Sequence, residues 1–193
     1  NGAIDQKVAI DVGPGGTVSL LGSSVNVGND INAPGGTIDI VSHKTGKVVA
    51  DGSSLKAVVE IGGNVTVAQD SVLNVAGRWT NDLKDGATAL VVNRGGSINL
   101  DSARDLLLSQ GSVLDASAGA WLKGDGKLTQ GGAGSITLRA AQSNNRDGKL
   151  DLAGATLQAR GFSKGGKLIL AAPNLSIGGL AGSGLGLGAD FFA

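Results

Sequence analysis

The sequence predicts an all-β fold, a right-handed parallel β-helix in which short strands stack coil upon coil with loops of variable length between them. Three observations support this prediction: a high glycine content, a recurring Gly-Gly phrase, and alternation of apolar and polar residues after each phrase. Glycine accounts for 34 of 193 residues, well over twice the ~7% of ordinary proteins. The glycines indicate many tight turns, and the alternation indicates that short strands connect those turns.

The composition excludes other glycine-rich architectures. Glycine does not recur at every third position and the chain has only 3 prolines, which excludes a collagen triple helix. Hydrophobic residues make up 41% of the chain, which disfavours a disordered segment. The chain contains no cysteine, so its stability must come from core packing and backbone hydrogen bonds rather than from disulfides.

The recurring phrase consists of two glycines, a small polar residue and an apolar–polar–apolar triplet. Its leading apolar residues are 20 residues (Val18 to Ile38) to 38 residues (Ile98 to Ile136) apart, within the range of solenoid repeats. We expect these leading residues to form a single interior file: Val18, Ile38, Val65, Ile98, Ile136 and Leu168. The phrase occurs as GGTVSL at 15–20, GGTIDI at 35–40, GGNVTV at 62–67, GGSINL at 95–100, GGAGSITL at 131–138 with a two-residue insertion, and GGKLIL at 165–170.

A second phrase follows the first and predicts another short strand. Its period of two hides one face of the strand and leaves the other in water. Parallel stacking of such strands buries their apolar faces as one column. The segment 101–110 is also predicted to be a strand, because Leu106 and Leu108 alternate. The second phrase occurs as SSVNVG at 23–28, DSVLNVAG at 70–77, GSVLDASAG at 111–119 and GATLQARG at 154–161.

Residues 1–177 are predicted to form the coils, about eight or nine of them at ~4.8 Å per coil. The final stretch, 178–193, loses the phrase, so we expect an irregular last coil, an end cap or a linker to a following segment. Solenoids need caps, because an open coil exposes both its core and its strand edges. An uncapped segment is therefore expected to associate end to end with another copy.

The charge balance argues against two classes of partner. Lys plus Arg and Asp plus Glu are equal at 16 each, so the formal charge is zero. Without a basic patch, neither nucleic acid nor an anionic membrane surface is an expected partner. No apolar stretch approaches the ~18 residues of a membrane span, so membrane insertion is not expected either.

Several segments together resemble filamentous-haemagglutinin-like exoproteins, over roughly residues 60–170. The resemblance implies a shaft segment of a large bacterial adhesin exported by two-partner secretion, with an outer-membrane transporter as its partner during export. It further implies an extracellular or cell-surface location and a role in attachment, cell–cell contact or biofilm, with host-surface or matrix glycans and proteins as partners. The segments that carry the resemblance are GRWTNDL at 77–83, GGSINL at 95–100, GSVLDASAGAWL at 111–122 and GGAGSITL at 131–138.

The two tryptophans are the candidate ligand contacts. Trp79 and Trp121 follow the second phrase at similar places, in AGRW and SAGAW. Paired indoles on a fibre surface would stack on sugar rings, whereas the structural alternative is that each indole covers a loop or a glycine-rich corner.

An enzymatic alternative is a polysaccharide lyase on a β-helix, which needs clustered carboxylates for Ca²⁺ and a basic residue. Asp125, Asp147 and Asp151 are the candidates, near several arginines including Arg139. Their Gly/Asn-rich context favours solvated loop charges instead. His43 is the only histidine and cysteine is absent, so we expect no catalytic residue, metal site or cofactor.

Overall fold

The structure is a computed structural model that describes residues 2–42, 44–51, 54–86, 90–141, 148–152, 154–173, 175–177 and 185–187. Side chains are described in these ranges outside 44–62 and 175–187. The predicted all-β class is confirmed: the described residues form 22 strands, numbered in chain order, and one helix, α1 (Asp82–Asp85). No helix among them is long and apolar enough to cross a bilayer.

Fifteen of the strands form three parallel five-stranded sheets, which we call the first, second and third sheets. The first sheet consists of β1 (Ile4–Gln6), β4 (Val25–Val27), β9 (Val65–Val67), β13 (Leu106–Leu108) and β18 (Leu150–Asp151). The second consists of β2 (Ile10–Asp11), β5 (Ile31–Asn32), β10 (Val72–Asn74), β14 (Val113–Asp115) and β19 (Thr156–Gln158). The third consists of β3 (Thr17–Gly22), β6 (Thr37–Ser42), β12 (Ser97–Asp101), β17 (Ser135–Arg139) and β20 (Lys167–Ala171).

Across the described residues, the chain passes through these sheets in the same order five times, always first, second, third. Within each sheet, every strand pairs in parallel with the corresponding strands of the neighbouring passes. Parallel pairing requires a crossover between the partners, and here the crossover is the visit to the other two sheets. This topology is consistent with a parallel β-helix.

The interior is built from apolar residues that repeat at the same register in each pass. In the third sheet Ile38 pairs with Val18 on one side and with Ile98 on the other, and Ile136 continues the same file to Leu168. The first four are buried, whereas Leu168 is 40% exposed. The reason is position: β20 is the outer strand of the third sheet among the described residues.

The expectation for Val65 was wrong. Val65 is fully buried, but it belongs to the first sheet, where it pairs with Val25 and Leu106. GGNVTV therefore opens a pass instead of closing one, and it is equivalent to SSVNVG at 23–28 rather than to the other Gly-Gly phrases. Alternation shows that a strand has one buried face, but membership of a sheet depends on which distant strand it pairs with.

Insertions make the passes longer than expected, so the described residues form five passes rather than eight or nine. An antiparallel hairpin, β7 (Lys44–Asp51) and β8 (Ser54–Gly62), separates β6 from β9. A small outer sheet of β11 (Thr80–Asn81), β15 (Ala120–Leu122) and β16 (Leu128–Gln130) is inserted in the third and fourth passes. Of the stretch 178–193, only β22 (Leu185–Leu187) is described; it pairs in parallel with β21 (Leu175–Ile177), and the rest lies outside the described residues.

The predicted strand within 101–110 is confirmed as β13, with Leu106 and Leu108 fully buried. The corner that leads into it is polar and buried. Ser102 Oγ donates to the carbonyl of Asp105 (2.7 Å) and accepts from the N–H of Val65 (3.1 Å). Across the described side chains, no buried nitrogen or oxygen lacks a hydrogen-bond partner. This corner therefore joins consecutive passes through hydrogen bonds without exposing the core.

Candidate functional site

The outer sheet carries both tryptophans, and its register separates them. Thr80 of β11 pairs with Trp121 of β15, so Trp79 precedes that pair by one residue. Because neighbouring residues along a strand point to opposite faces, the two indoles lie on opposite sides of the outer sheet. The similar placement of AGRW and SAGAW therefore does not produce a pair of adjacent indoles.

Trp121 lies on the inner, half-buried side. Its Nε1 donates to Asp82 Oδ1 at 2.9 Å, and the Lys123 ammonium lies 4.8 Å from the centre of its ring. Asp82 is the first residue of α1, so this hydrogen bond ties the helix to the outer sheet. The geometry supports the structural alternative for Trp121, in which the indole covers an adjoining segment.

Trp79 lies on the outer side and is 64% exposed. The ring of Phe162 meets it edge to face, with centroids 5.3 Å apart and an interplanar angle of 82°. Phe162 is itself 51% exposed, so the two rings form an aromatic projection from the surface. An exposed aromatic pair of this kind leaves apolar area available to a ligand.

A shallow pocket of about 380 Å³ lies beside Trp79. Phe162 is not part of its lining, so Phe162 supports the indole from outside the pocket. The pocket combines an aromatic and aliphatic wall with a polar rim, a combination that is typical of sites for small ligands. It is lined by Trp79, Thr80, Asn81, Lys84, Asp85, Leu122 and Leu128.

The polar rim is positioned by the start of α1. Asn81 is the N-cap residue, and its Oδ1 accepts the N–H of Leu83 at 3.1 Å. Asp85 Oδ2 accepts the N–H of Asn81 at 3.2 Å, which closes the turn from the other side. Within the described part of the chain, Asn81 Nδ2, Lys84 Nζ and Asp85 Oδ1 have no further partner. Sequence analysis missed these residues, because a four-residue helix leaves no periodic signal.

A second groove, of about 370 Å³, runs along the outside of the second sheet. Its floor is a ladder in which Asn32 donates to Asp11 Oδ2 (3.0 Å) and Asn74 donates to Asn32 Oδ1 (2.9 Å). The backbone N–H of Gly13, and then the Asn32 amide, hold the pKa of Asp11 below its usual range. The ladder groups bond mainly to one another, and Arg78 is the basic residue of the lining.

The two described acidic candidates for a lyase site, Asp125 and Asp151, lie on separate elements. Asp125 lies in the turn between β15 and β16, and its Oδ2 is 3.2 Å from Lys127 Nζ. The backbone N–H and the ammonium of Lys127 lower the pKa of Asp125. Asp151 belongs to the first sheet and lies 2.6 Å from Lys149 Nζ, which raises the pKa of Lys149. Asp147 and His43 lie outside the described residues. Across the described ranges, no group of three or more His, Cys, Asp or Glu residues is placed to hold a metal ion.

Comparison of the chain with protein-family models, with curated proteins and with solved structures found no match.

Proposed function

We propose that this chain is a right-handed parallel β-helix segment of a large, secreted bacterial surface fibre, and that it works as a scaffold and adhesive surface rather than as an enzyme. The observation that carries the proposal is the continuous register of the three parallel sheets through five passes. A stack of this kind has no intrinsic length limit, because each coil contacts only its neighbours. Such a unit is suited to building a rod.

The placement of the insertions also supports a scaffold. The β7–β8 hairpin and the outer sheet interrupt the passes, yet the strands on either side keep the register of the previous coil. Asn99 of β12 pairs with Asp39 of β6, which lies 60 residues earlier. The Asn99 side chain donates a hydrogen bond to the Asp39 carboxylate at 2.6 Å. Loops in such a protein vary without disturbing the core. The surface thus carries the specific contacts while the stack supplies rigidity and reach.

The resemblance to filamentous-haemagglutinin-like exoproteins supplies the cellular setting of the proposal. The chain would cross the outer membrane unfolded through a two-partner-secretion transporter and fold outside the cell. Absence of cysteine suits this route, since disulfides formed early would obstruct threading. Its partners would be glycans or proteins of a host surface or matrix, and further copies joined end to end.

Two experiments test this proposal. Electron microscopy of the parent protein should show a thin continuous filament, and compact globules would contradict the fibre. At the level of the chain, the pair Asn26→Cys and Thr66→Cys replaces directly paired residues of β4 and β9, within the Cα separation that a disulfide needs. Mild oxidation should cross-link them within one molecule. The control pair, Asn26→Cys with Asn99→Cys, joins residues of different sheets and should stay reduced; equal cross-linking of both pairs would contradict the coil stack.

A second candidate function is glycan binding, and the exposure of Trp79 specifically favours it. Binding of the chain to an array of immobilised glycans tests this function, independently of where on the surface the glycans bind. A chain that binds no glycan on the array would remove this candidate and leave the fibre proposal intact.

A further inference from the structure

We infer that the Trp79 pocket binds one neutral pyranose residue of a glycan, with the Trp79 indole as the stacking surface and Asn81, Lys84 and Asp85 as the groups that hold its hydroxyls. This inference rests on the proposed glycan-binding function and goes beyond it in naming the subsite, the class of sugar and the role of each residue. It also excludes Trp121 from the contact.

The Trp79 indole supplies apolar surface to the pocket. Trp79 is 64% exposed even though Phe162 contacts it, so a large part of its ring is open to a ligand. Leu122 and the half-exposed Leu128 extend the apolar wall of the pocket. A pyranose has one face of C–H groups that buries favourably against such a wall, while its hydroxyls point outward around the ring.

The rim of the pocket carries open polar groups of both kinds, donors and acceptors. Asn81 Nδ2 and Lys84 Nζ are donors, Asp85 Oδ1 is an acceptor, and none of them is engaged within the described residues. Sugar hydroxyls both donate and accept, so a rim with both kinds of group is complementary to them. Charged partners make the stronger hydrogen bonds of such a set.

The charges at the rim select among sugars. Lys84 and Asp85 are adjacent and opposite in sign, so they offer no net attraction to an anionic ligand. A uronate placed beside Lys84 would also meet the Asp85 carboxylate. The pocket therefore favours a neutral hexose over an acidic one.

The size of the pocket and the position of Trp121 argue against other occupants. A single depression of about 380 Å³ has the volume of a small-ligand site, whereas a protein partner needs an extended contact surface. Trp121 is excluded because Asp82 and Lys123 already occupy its nitrogen and its ring. Only Trp79 presents an open indole.

The test is a titration of the whole ¹⁵N-labelled chain with methyl β-D-galactopyranoside and methyl β-D-glucopyranoside, followed through its two indole N–H resonances in NMR spectra. The Trp79 resonance should shift saturably with at least one of these sugars, with a Kd in the millimolar range that is ordinary for a single small ligand. The Trp121 resonance should stay in place. Methyl β-D-glucuronide should bind no more tightly than the neutral sugars.

Variants locate the site. Trp79→Ala should weaken binding by about tenfold or more, measured through backbone amide shifts of the α1 segment, because it removes the central aromatic contact. Lys84→Ala should weaken binding by about threefold, as expected for one hydrogen bond. Leu90→Ala is the matched control, since Leu90 is 66% exposed but does not line the pocket, and it should leave the affinity unchanged.

Three results would overturn the inference: no saturable shift with either neutral sugar, tighter binding of the glucuronide, or unchanged affinity in Trp79→Ala. Its failure is distinguishable from failure of glycan binding as a whole. A chain that binds arrayed glycans equally well with and without Trp79 keeps the function and loses this subsite. The cysteine cross-link between β4 and β9 reports on the coil stack in either case.

Discussion

Gly96, the second glycine of GGSINL, lies where consecutive coils approach closely, and replacing it with alanine should destabilise the fold strongly. A Cβ built on Gly96 would overlap the carbonyl oxygen of Gly36 in the preceding coil and lie 2.8 Å from the nitrogen of Gly36. Both are backbone atoms, so no side-chain rotation relieves the overlap. The next coil is equally close, because Gly134 packs in the same way against Gly96.

The expected magnitude follows from the contacts that must open. Separating the coils would stretch the hydrogen bond from the Ser97 N–H to the Gly36 carbonyl, now 2.9 Å. Overpacking of a rigid interior costs about 1–3 kcal/mol, and a weakened hydrogen bond adds about 1 kcal/mol. Together these predict a loss of about 3 kcal/mol in the free energy of unfolding for Gly96→Ala. For a chain of this size, that corresponds to a fall in Tm of roughly 6–12 °C.

Two other glycines of the Gly-Gly phrase distinguish steric overlap from backbone strain as the cause of destabilisation. Gly165 has ordinary φ and open space around its would-be Cβ, so Gly165→Ala should be close to neutral. Gly15 also has open space but a φ of +73°, so Gly15→Ala should cost about 1 kcal/mol from backbone strain alone. Urea and thermal unfolding followed by circular dichroism measure all three variants. A Gly96→Ala protein as stable as Gly165→Ala would refute the close-packed corner.

Three further predictions address the core, the buried corner and the response to pH. Ile98→Ala should lower the free energy of unfolding by about 2–5 kcal/mol, because it leaves a cavity in the interior. Leu168→Ala should lower it clearly less, because Leu168 is 40% exposed. Equal losses of the two variants in urea unfolding would contradict the assigned burial. Ser102→Ala removes a fully buried hydroxyl and should cost about 1–3 kcal/mol, against little change for the exposed control Ser19→Ala in the same assay. The backbone N–H of Gly13 and the Asn32 amide bond to Asp11 and lower its pKa from the ordinary value of 3.8. The carboxylate of Asp11 therefore stabilises the fold fully above pH 3.8, and this stabilisation is lost as the pH falls through the lowered pKa. Thermal unfolding between about pH 5 and pH 2 should accordingly show a shallower acid loss in Asp11→Asn than in the unaltered chain; parallel profiles would show that this carboxylate does not contribute.

Most of what is local in this fold was predictable from the sequence. Alternation of apolar and polar residues identified strands with one buried face, including the one at Leu106 and Leu108, because burial on a pleated strand repeats every two residues. The register file through Ile38, Ile98 and Ile136 was predictable for the same reason, aided by the glycine pair before each strand. The glycine directly before each of these strands is required by the proximity of the neighbouring coil, because a Cβ there would overlap backbone atoms of that coil.

The candidate site was predictable only in part. Trp79 could be singled out as an aromatic residue in a polar context. The polar rim of the pocket, formed by Asn81, Lys84 and Asp85, depends on a single helical turn that carries no periodic pattern. The separation of the two indoles depends on a shift of one residue in the pairing of β11 with β15. The similar sequences AGRW and SAGAW give no indication of that shift.

The sequence by itself determined that this protein consists of short β-strands joined by glycine-rich corners, because alternation and turn residues act over a few neighbouring residues. Tertiary structure alone decided which of the three sheets each strand joins, as Val65 shows, and which tryptophan stays open to solvent. Those outcomes depend on pairing between strands about 20 to 60 residues apart, across insertions of unequal length. A one-residue change of register in such pairing exchanges the faces of a strand, and no short stretch of sequence encodes that choice.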